Sequence, residues 1–311
     1  MAQIKTKDSA PRKVIRANIR DNTCLIDKWV SFCKKTTDTA YLVSAGPSLK
    51  RHAERLKEIQ KDPTNKIFCV KHALPTLLEA GIIPFGCITL DPRPLDGVST
   101  HGVLRSDCFE EVPFKTLFFF ASMTHPSQTE WIKKRGGKVV GWHAHSDNFF
   151  SRDEIINSAK ERKDQEMIQR MSADMSEENN ESLLPKGHPL ITSGSCSSSR
   201  AIGLLQCLGF YKITLVGFDL CLEEKPLDIM AVEPNGNPKY VGINLETPEG
   251  KKIFWTTPEL AANAEDLEHF FKNDKLSVEF DVWEDCGVSS ALWANFKASR
   301  VYPTYLEMLQ Q

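Results

Sequence analysis

The stretch Tyr41-Leu42-Val43-Ser44-Ala45-Gly46-Pro47-Ser48-Leu49 decides how the rest of the chain is read. Tyr41 to Ala45 is a strand-like run, Gly46-Pro47 breaks it, and a helical pattern follows from Ser48 to Gln60. The chain then keeps this rhythm. Lys66 to Val70 is the next strand, and Ala73 to Ala80 a short helix with Pro75 near its start and Gly81 just past its end. Gly86 to Leu90 is a strand that stops at Asp91-Pro92. Thr116 to Ala121 is a strand, Pro126 to Arg135 a helix closed by Gly136-Gly137, and Lys138 to Trp142 a strand. The pattern returns with Ile191 to Ser195, a helix from Ser197 to Leu208, and a strand at Lys212 to Val216 that ends at Gly217-Phe218-Asp219. Thr257-Pro258 opens a further helix, and Ser277 to Trp283 is a last strand. Strands joined by helices at this spacing require crossover connections, so the expectation is an α/β fold with a mostly parallel sheet.

Outside that pattern, residues 1–38 are a polar lead-in with one amphipathic stretch, Leu25 to Phe32, and residues 39–311 form the main domain. Residues 151–187 are polar and charged with few large apolar side chains, which suits a mobile, lid-like insertion. Residues 223–254 are rich in Pro, Gly and Asn and read as a loop or hairpin excursion. The balance of 39 Lys plus Arg against 41 Asp plus Glu, a net charge of −2, gives no broad electrostatic case for a nucleic-acid acceptor. No apolar run approaches the roughly 18 residues a membrane helix needs, so no membrane partner is expected. The first 20 residues lack the apolar core of a secretory signal. The nine cysteines include no C-x-x-C pair and sit mostly in apolar stretches, which suits reduced thiols in the cytoplasm.

Three places offer chemistry. The turn from Ser44 to Ser48 leads a strand into a helix N-terminus, whose unpaired amides favour phosphate. Gly46 and Pro47 shape the turn, and Ser44 and Ser48 add hydroxyls. The run Thr192-Ser193-Gly194-Ser195-Cys196-Ser197-Ser198-Ser199-Arg200 is a second glycine turn opening a helix. It carries five serines and a threonine in eight residues, more than a cap needs. Such a ring of hydroxyls and amides suits a nucleotide phosphate or ribose. Asp91 and Asp219 each follow a strand, on the edge where open α/β sheets bind ligands. There they suit Mg²⁺ held against phosphates, or ribose hydroxyls. His143-Ala144-His145 puts two imidazoles on one strand face without a third ligand at metal spacing, so a substrate-lining or surface role is expected.

These motifs carry a resemblance. Residues 43–49, Ala80-Gly81-Ile82-Ile83-Pro84, Thr89-Leu90-Asp91-Pro92, Gly194 through Ile202, Leu208-Gly209-Phe210 and Leu215-Val216-Gly217-Phe218-Asp219 resemble the Rossmann-like domain of the 6-hydroxymethylpterin diphosphokinase MptE-like family. Ser122-Met123-Thr124-His125-Pro126 and Trp255-Thr256-Thr257-Pro258-Glu259-Leu260 resemble its bacteriophage-type members. The likeness spans roughly residues 40–285. More distantly, the two glycine turns are similar to those of bacterial sialyltransferases that use CMP-activated sugars and of flagellin nonulosonate transferases. The family resemblance implies a Rossmann-like sheet with helices on both faces. It also implies transfer of a diphosphoryl group from ATP to a pterin-like alcohol, with Asp91 and Asp219 on magnesium. The turns at Ser44, Gly46, Pro47 and Ser48, and at Thr192, Ser193, Gly194, Ser195 and Arg200, would then hold the donor. The distant resemblance implies instead a nucleotide sugar as donor. Sialyltransferases carry a basic histidine where the nearest match here, Tyr240-Val241-Gly242-Ile243, has Ile243. A third expectation, a nucleotide-binding protein without catalysis, stands beside these two.

Overall fold

The computed structural model describes residues 10–98, 102–172, 181–194, 196–233, 236–247, 250–272 and 278–308. The elements in chain order begin with α1 (Arg12–Leu25), β1 (Thr39–Val43), α2 (Leu49–Ile59), β2 (Asn65–Val70), α3 (Leu74–Glu79) and β3 (Gly86–Thr89). Next are β4 (Leu117–Ala121), α4 (Pro126–Lys134), β5 (Lys138–Ala144), α5 (Arg152–Glu161), α6 (Gln165–Ser172) and β6 (Leu190–Ile191). The chain continues with α7 (Ser197–Cys207), β7 (Lys212–Val216), β8 (Val241–Thr247), β9 (Gly250–Thr256), α8 (Pro258–Lys272), β10 (Glu279–Val282) and α9 (Gly287–Met308). Eight strands form a mostly parallel sheet in the order β10-β7-β1-β2-β3-β4-β5-β6, with helices around it, a Rossmann-like α/β fold. β8 and β9 pair antiparallel as a separate hairpin, with Val241 opposite Thr256 and Thr247 opposite Gly250.

The chain divides into two compact units. The described residues of the first are 33–87 and those from 193 on; those of the second are 10–32 and 88–192. In the first unit β1 is flanked by β2 and β7; β1 and β7 end level, with Val43 opposite Val216, and β2 runs one residue further, with Cys69 opposite Val43. β10 joins β7 with Val282 opposite Leu215. Leu42, Phe68, Leu215 and Val216 are fully buried, as strands covered on both faces must be. The loops that leave β1, β7 and β10 therefore start side by side.

In the second unit β4 and β5 pair in parallel, Ala121 opposite Trp142, around a core of Phe109, Phe118, Phe120, Trp142 and Phe149. Here the lead-in proves to contain a helix, α1, that the sequence reading did not expect. Its buried face is largely polar: Arg16, Asn18 and Asn22 are inside with Ile15 and Ile19. These side chains bind backbone carbonyls. Asn18 Nδ2 donates to Pro92 O and Met123 O, and Asn22 Nδ2 donates to Ser122 O and Thr124 O. Arg16 donates to the carbonyls of Asn148, Phe150 and Glu181. One guanidinium thus bonds carbonyls on both sides of the stretch that holds α5 and α6. That stretch begins with α5, capped by Ser151 and Glu154 in a reciprocal capping box, and buries Ile155, Ala159 and Met171. The hairpin starts inside the excursion expected at 223–254 and ends past it, at Thr256. Among the described residues no helix is long and apolar enough to cross a membrane.

Candidate functional site

The β1–α2 turn is built around a carboxylate from the loop after β7. Ser48 N–H donates to Asp219 Oδ2 at 2.9 Å, so Asp219 sits where an anion would sit at the start of α2. Gly46 makes that approach possible. A Cβ added there would lie 2.1 Å from Asp219 Oδ2 and 2.5 Å from Gly217 O. Gly217 adopts a left-handed φ of +66°, and a Cβ on it would meet Ser44 O at 2.4 Å. Gly46 N–H donates to Gly217 O and Ser44 N–H to Val216 O, so the two loops are stitched backbone to backbone. Burial raises the Asp219 pKa, and the Ser48 hydrogen bonds, with Arg51 and His52, pull the other way.

The β10–α9 loop closes the same site. Val288 N–H donates to Asp219 O, and Ser48 Oγ donates to Cys286 Sγ at 3.5 Å. His52 Nε2 lies 3.8 Å from that sulfur, and Arg51 Nη2 donates to Asp285 O. Burial lowers the His52 pKa and raises that of Cys286, so neither is biased toward its charged form. Sequence reading singled out neither residue. Their only signal was position: His52 is one turn after Ser48, and Cys286 follows the last strand of the sheet.

The serine-rich turn reaches the first one directly. Ser44 Oγ donates to Ser198 Oγ at 2.9 Å. Cys196, with Ser199 in a reciprocal cap, starts α7, and Ser193 Oγ donates to Arg200 O. Gly194 has φ +40°, and a Cβ there would lie 2.0 Å from Ser199 Oγ, so this glycine too serves the turn's own packing. Pro47 lines a cleft beside the turn, Thr192 is exposed, and Ser195 lies outside the described residues. Ser44, Gly46, Pro47, Ser48, Ser193, Gly194, Arg200 and Asp219 all belong to the first unit.

Asp91 belongs to the second unit. Arg93 grips it with a fork, Nε to Oδ1 at 2.8 Å and Nη2 to Oδ2 at 3.0 Å. Gln128 and the His125 N–H donate to the Asp91 carbonyl, fixing the loop to the start of α4. Both Asp91 oxygens are taken up by the Arg93 fork, which leaves this acid poorly placed for a metal, whereas Asp219 has one oxygen on Ser48. Among the described residues no three His, Cys, Asp or Glu side chains cluster for a metal. His143 is buried, stacks flat on Trp29 at 4.3 Å and faces Phe149 edge-on, and burial holds its pKa at about 4. It is an aromatic core residue.

A parallel sheet with hydroxyl-lined helix starts at its carboxyl edge is the ligand-binding architecture of the Rossmann-like class. Residues 15–225 match the family described as 6-hydroxymethylpterin diphosphokinase MptE-like, and the chain belongs to that family. Among solved structures it is similar to the MAf glycosyltransferase from Magnetospirillum magneticum AMB-1. That match has a TM-score of 0.53 and 13% identity, over 93% of this chain and 42% of that one. The likeness is one of fold, and the chain spans less than half of that protein. No functionally curated protein matches the chain.

Proposed function

We propose that the protein is a nucleotide-dependent transferase whose donor phosphates lie on the paired serine turns of the first unit. The observation that carries this reading is the Ser44–Ser198 hydrogen bond at 2.9 Å, which joins two turns at the starts of α2 and α7. With Asp219 already occupying the anion position of α2, the α7 turn is the better phosphate cradle, and the acid is left to accept a sugar hydroxyl. The leading reaction is diphosphoryl transfer from ATP to a pterin-like small-molecule alcohol, supported by family membership. In such a transfer the protein's work is to align donor and acceptor and to offset phosphate charge. Arg200, in the first turn of α7, is the cation nearest in sequence to the cradle. Magnesium, when it accompanies ATP, supplies charge neutralisation on the phosphates.

Glycosyl transfer from a nucleotide sugar is the second reading. It is favoured by the engagement of Asp91 with Arg93, which removes one of two acids from metal chemistry, and is in keeping with the glycosyltransferase of similar fold. A thermal-shift panel of ATP, GTP, CTP, CMP and UDP-sugars, each with and without Mg²⁺, tests both. A bound donor raises the melting temperature in proportion to the logarithm of its concentration over Kd. Stabilisation by ATP supports the leading reading, and stabilisation by a CMP or UDP compound alone supports the second. No response to any of them rejects nucleotide dependence.

A further inference from the structure

The first unit holds a cleft of about 910 Å³ bounded by the β8–β9 hairpin, the start of α9 and the loops after β1 and β7. Resting on the nucleotide reading above, we infer that this cleft receives the heteroaromatic ring of the nucleotide, stacked on tryptophan and framed by lysine. A flat ring needs an apolar face and a polar rim, and the cleft offers both. Trp255 and Trp293 line it and are each half-buried, so part of each indole faces outward. Lys225 Nζ stands 5.7 Å from the Trp255 ring and Lys297 Nζ 5.5 Å from the Trp293 ring. Lys252 adds a third cation at 5.0 Å over Phe254.

The charges decide the size of the ligand. Four cations, Arg51, Lys225, Lys252 and Lys297, face five acids, Asp219, Glu223, Glu224, Glu284 and Asp285. A groove for a nucleic-acid strand would be one-sidedly basic, because affinity there comes from phosphate neutralisation. A mixed rim suits a single nucleotide: carboxylates accept from ring N–H and amino groups, and lysines meet ring carbonyls and phosphate. The volume falls in the usual range of small-molecule sites, roughly 300–1,000 Å³. Pro47 and Asp219 belong both to the wall of this cleft and to the Ser48 turn, and Ser44 at the start of that turn bonds Ser198 of α7, so the ring and phosphate positions are joined through one turn of one unit.

The test is calorimetric titration of the full chain with ATP, GTP and CTP, and with inorganic tripolyphosphate as a ring-free probe. The best nucleotide should bind the wild type roughly tenfold or more tighter than tripolyphosphate, the usual worth of one stacked base. Trp255→Ala should weaken that nucleotide by about tenfold and leave tripolyphosphate within about twofold, while Trp255→Phe should restore most of the loss. Trp293 packs against Phe271 and Phe296 and its replacement risks the fold, so Trp255 and Lys225→Ala carry the test. Nucleotide affinity unchanged in both variants overturns the ring site while leaving the nucleotide reading standing. Failure of every nucleotide to bind the wild type overturns both.

Discussion

Gly46→Ala should damage the protein out of proportion to its size. The added methyl would lie 2.1 Å from Asp219 Oδ2, 2.5 Å from Gly217 O and 2.8 Å from Asp219 Cγ. Gly217 O has little room to retreat, because it accepts the Gly46 N–H and Gly217 itself lies so close to Ser44 O that a Cβ there would be 2.4 Å from it. Asp219 must therefore swing away and give up Ser48 N–H. Overpacking costs about 1–3 kcal/mol, and the lost hydrogen bond to a charged group about 1.5–3 kcal/mol. The sum, roughly 3–5 kcal/mol, corresponds to a fall in Tm of roughly 5–8 °C for a chain of this size. Urea denaturation and differential scanning calorimetry would read it. The double variant Gly46→Ala/Asp219→Ala should be less destabilised than the sum of its parts, since removing the carboxylate opens the space. A Gly46→Ala protein within about 1 kcal/mol of wild type would refute the packing account.

The same turn makes a prediction about charge. Asp219→Asn keeps an acceptor for Ser48 and removes a buried charge, so it should lie within about 1 kcal/mol of wild type, while Asp219→Ala should cost about 1–3 kcal/mol by denaturant titration. The folded pKa of Asp219 is raised above its ordinary 3.8, so the folded state holds this proton more tightly. Its contribution falls as pH rises through that window, and Asp219→Asn should abolish this part of the pH profile. His143 acts in the opposite sense. Its folded pKa of about 4 lies below the ordinary 6.5, so stability present above pH 6.5 is lost as pH falls toward 4. Between pH 7 and pH 5 the loss is roughly 2 kcal/mol, and His143→Phe should flatten the slope in paired urea titrations. Asp91→Asn, which loosens the Arg93 fork, should leave the Mg²⁺ concentration for half-maximal turnover within about twofold of wild type. A tenfold increase would return Asp91 to the metal.

The strand-to-helix rhythm was legible because buried parallel strands and glycine turns leave strong local marks. β7 runs over the same residues in sequence and structure, and α4 and α7 start where their Pro and Ser residues put them. α1 was not legible because its inward face is Arg16, Asn18 and Asn22, polar groups satisfied by carbonyls more than 70 residues away. Apolar periodicity reports oil facing oil and is silent about such a helix. At the site, Gly46 and Asp219 stood out individually. That Gly46 opens space for Asp219 itself was not legible, since it depends on the level ending of β1 and β7. The cleft needed the β8–β9 hairpin and α9 in place, and its tryptophans lie 38 residues apart in sequence.

The proposed function requires nucleotide phosphates to bind at the joined turns of Ser44 and Ser198. Calorimetric titration of the preferred nucleotide into wild type and Ser44→Ala/Ser198→Ala tests it most directly, with circular dichroism to confirm that both are folded. Each hydroxyl bonded to a charged phosphate is worth about 1.5–3 kcal/mol, so the double variant should bind at least about tenfold more weakly. Equal affinity in the two proteins would contradict the claim.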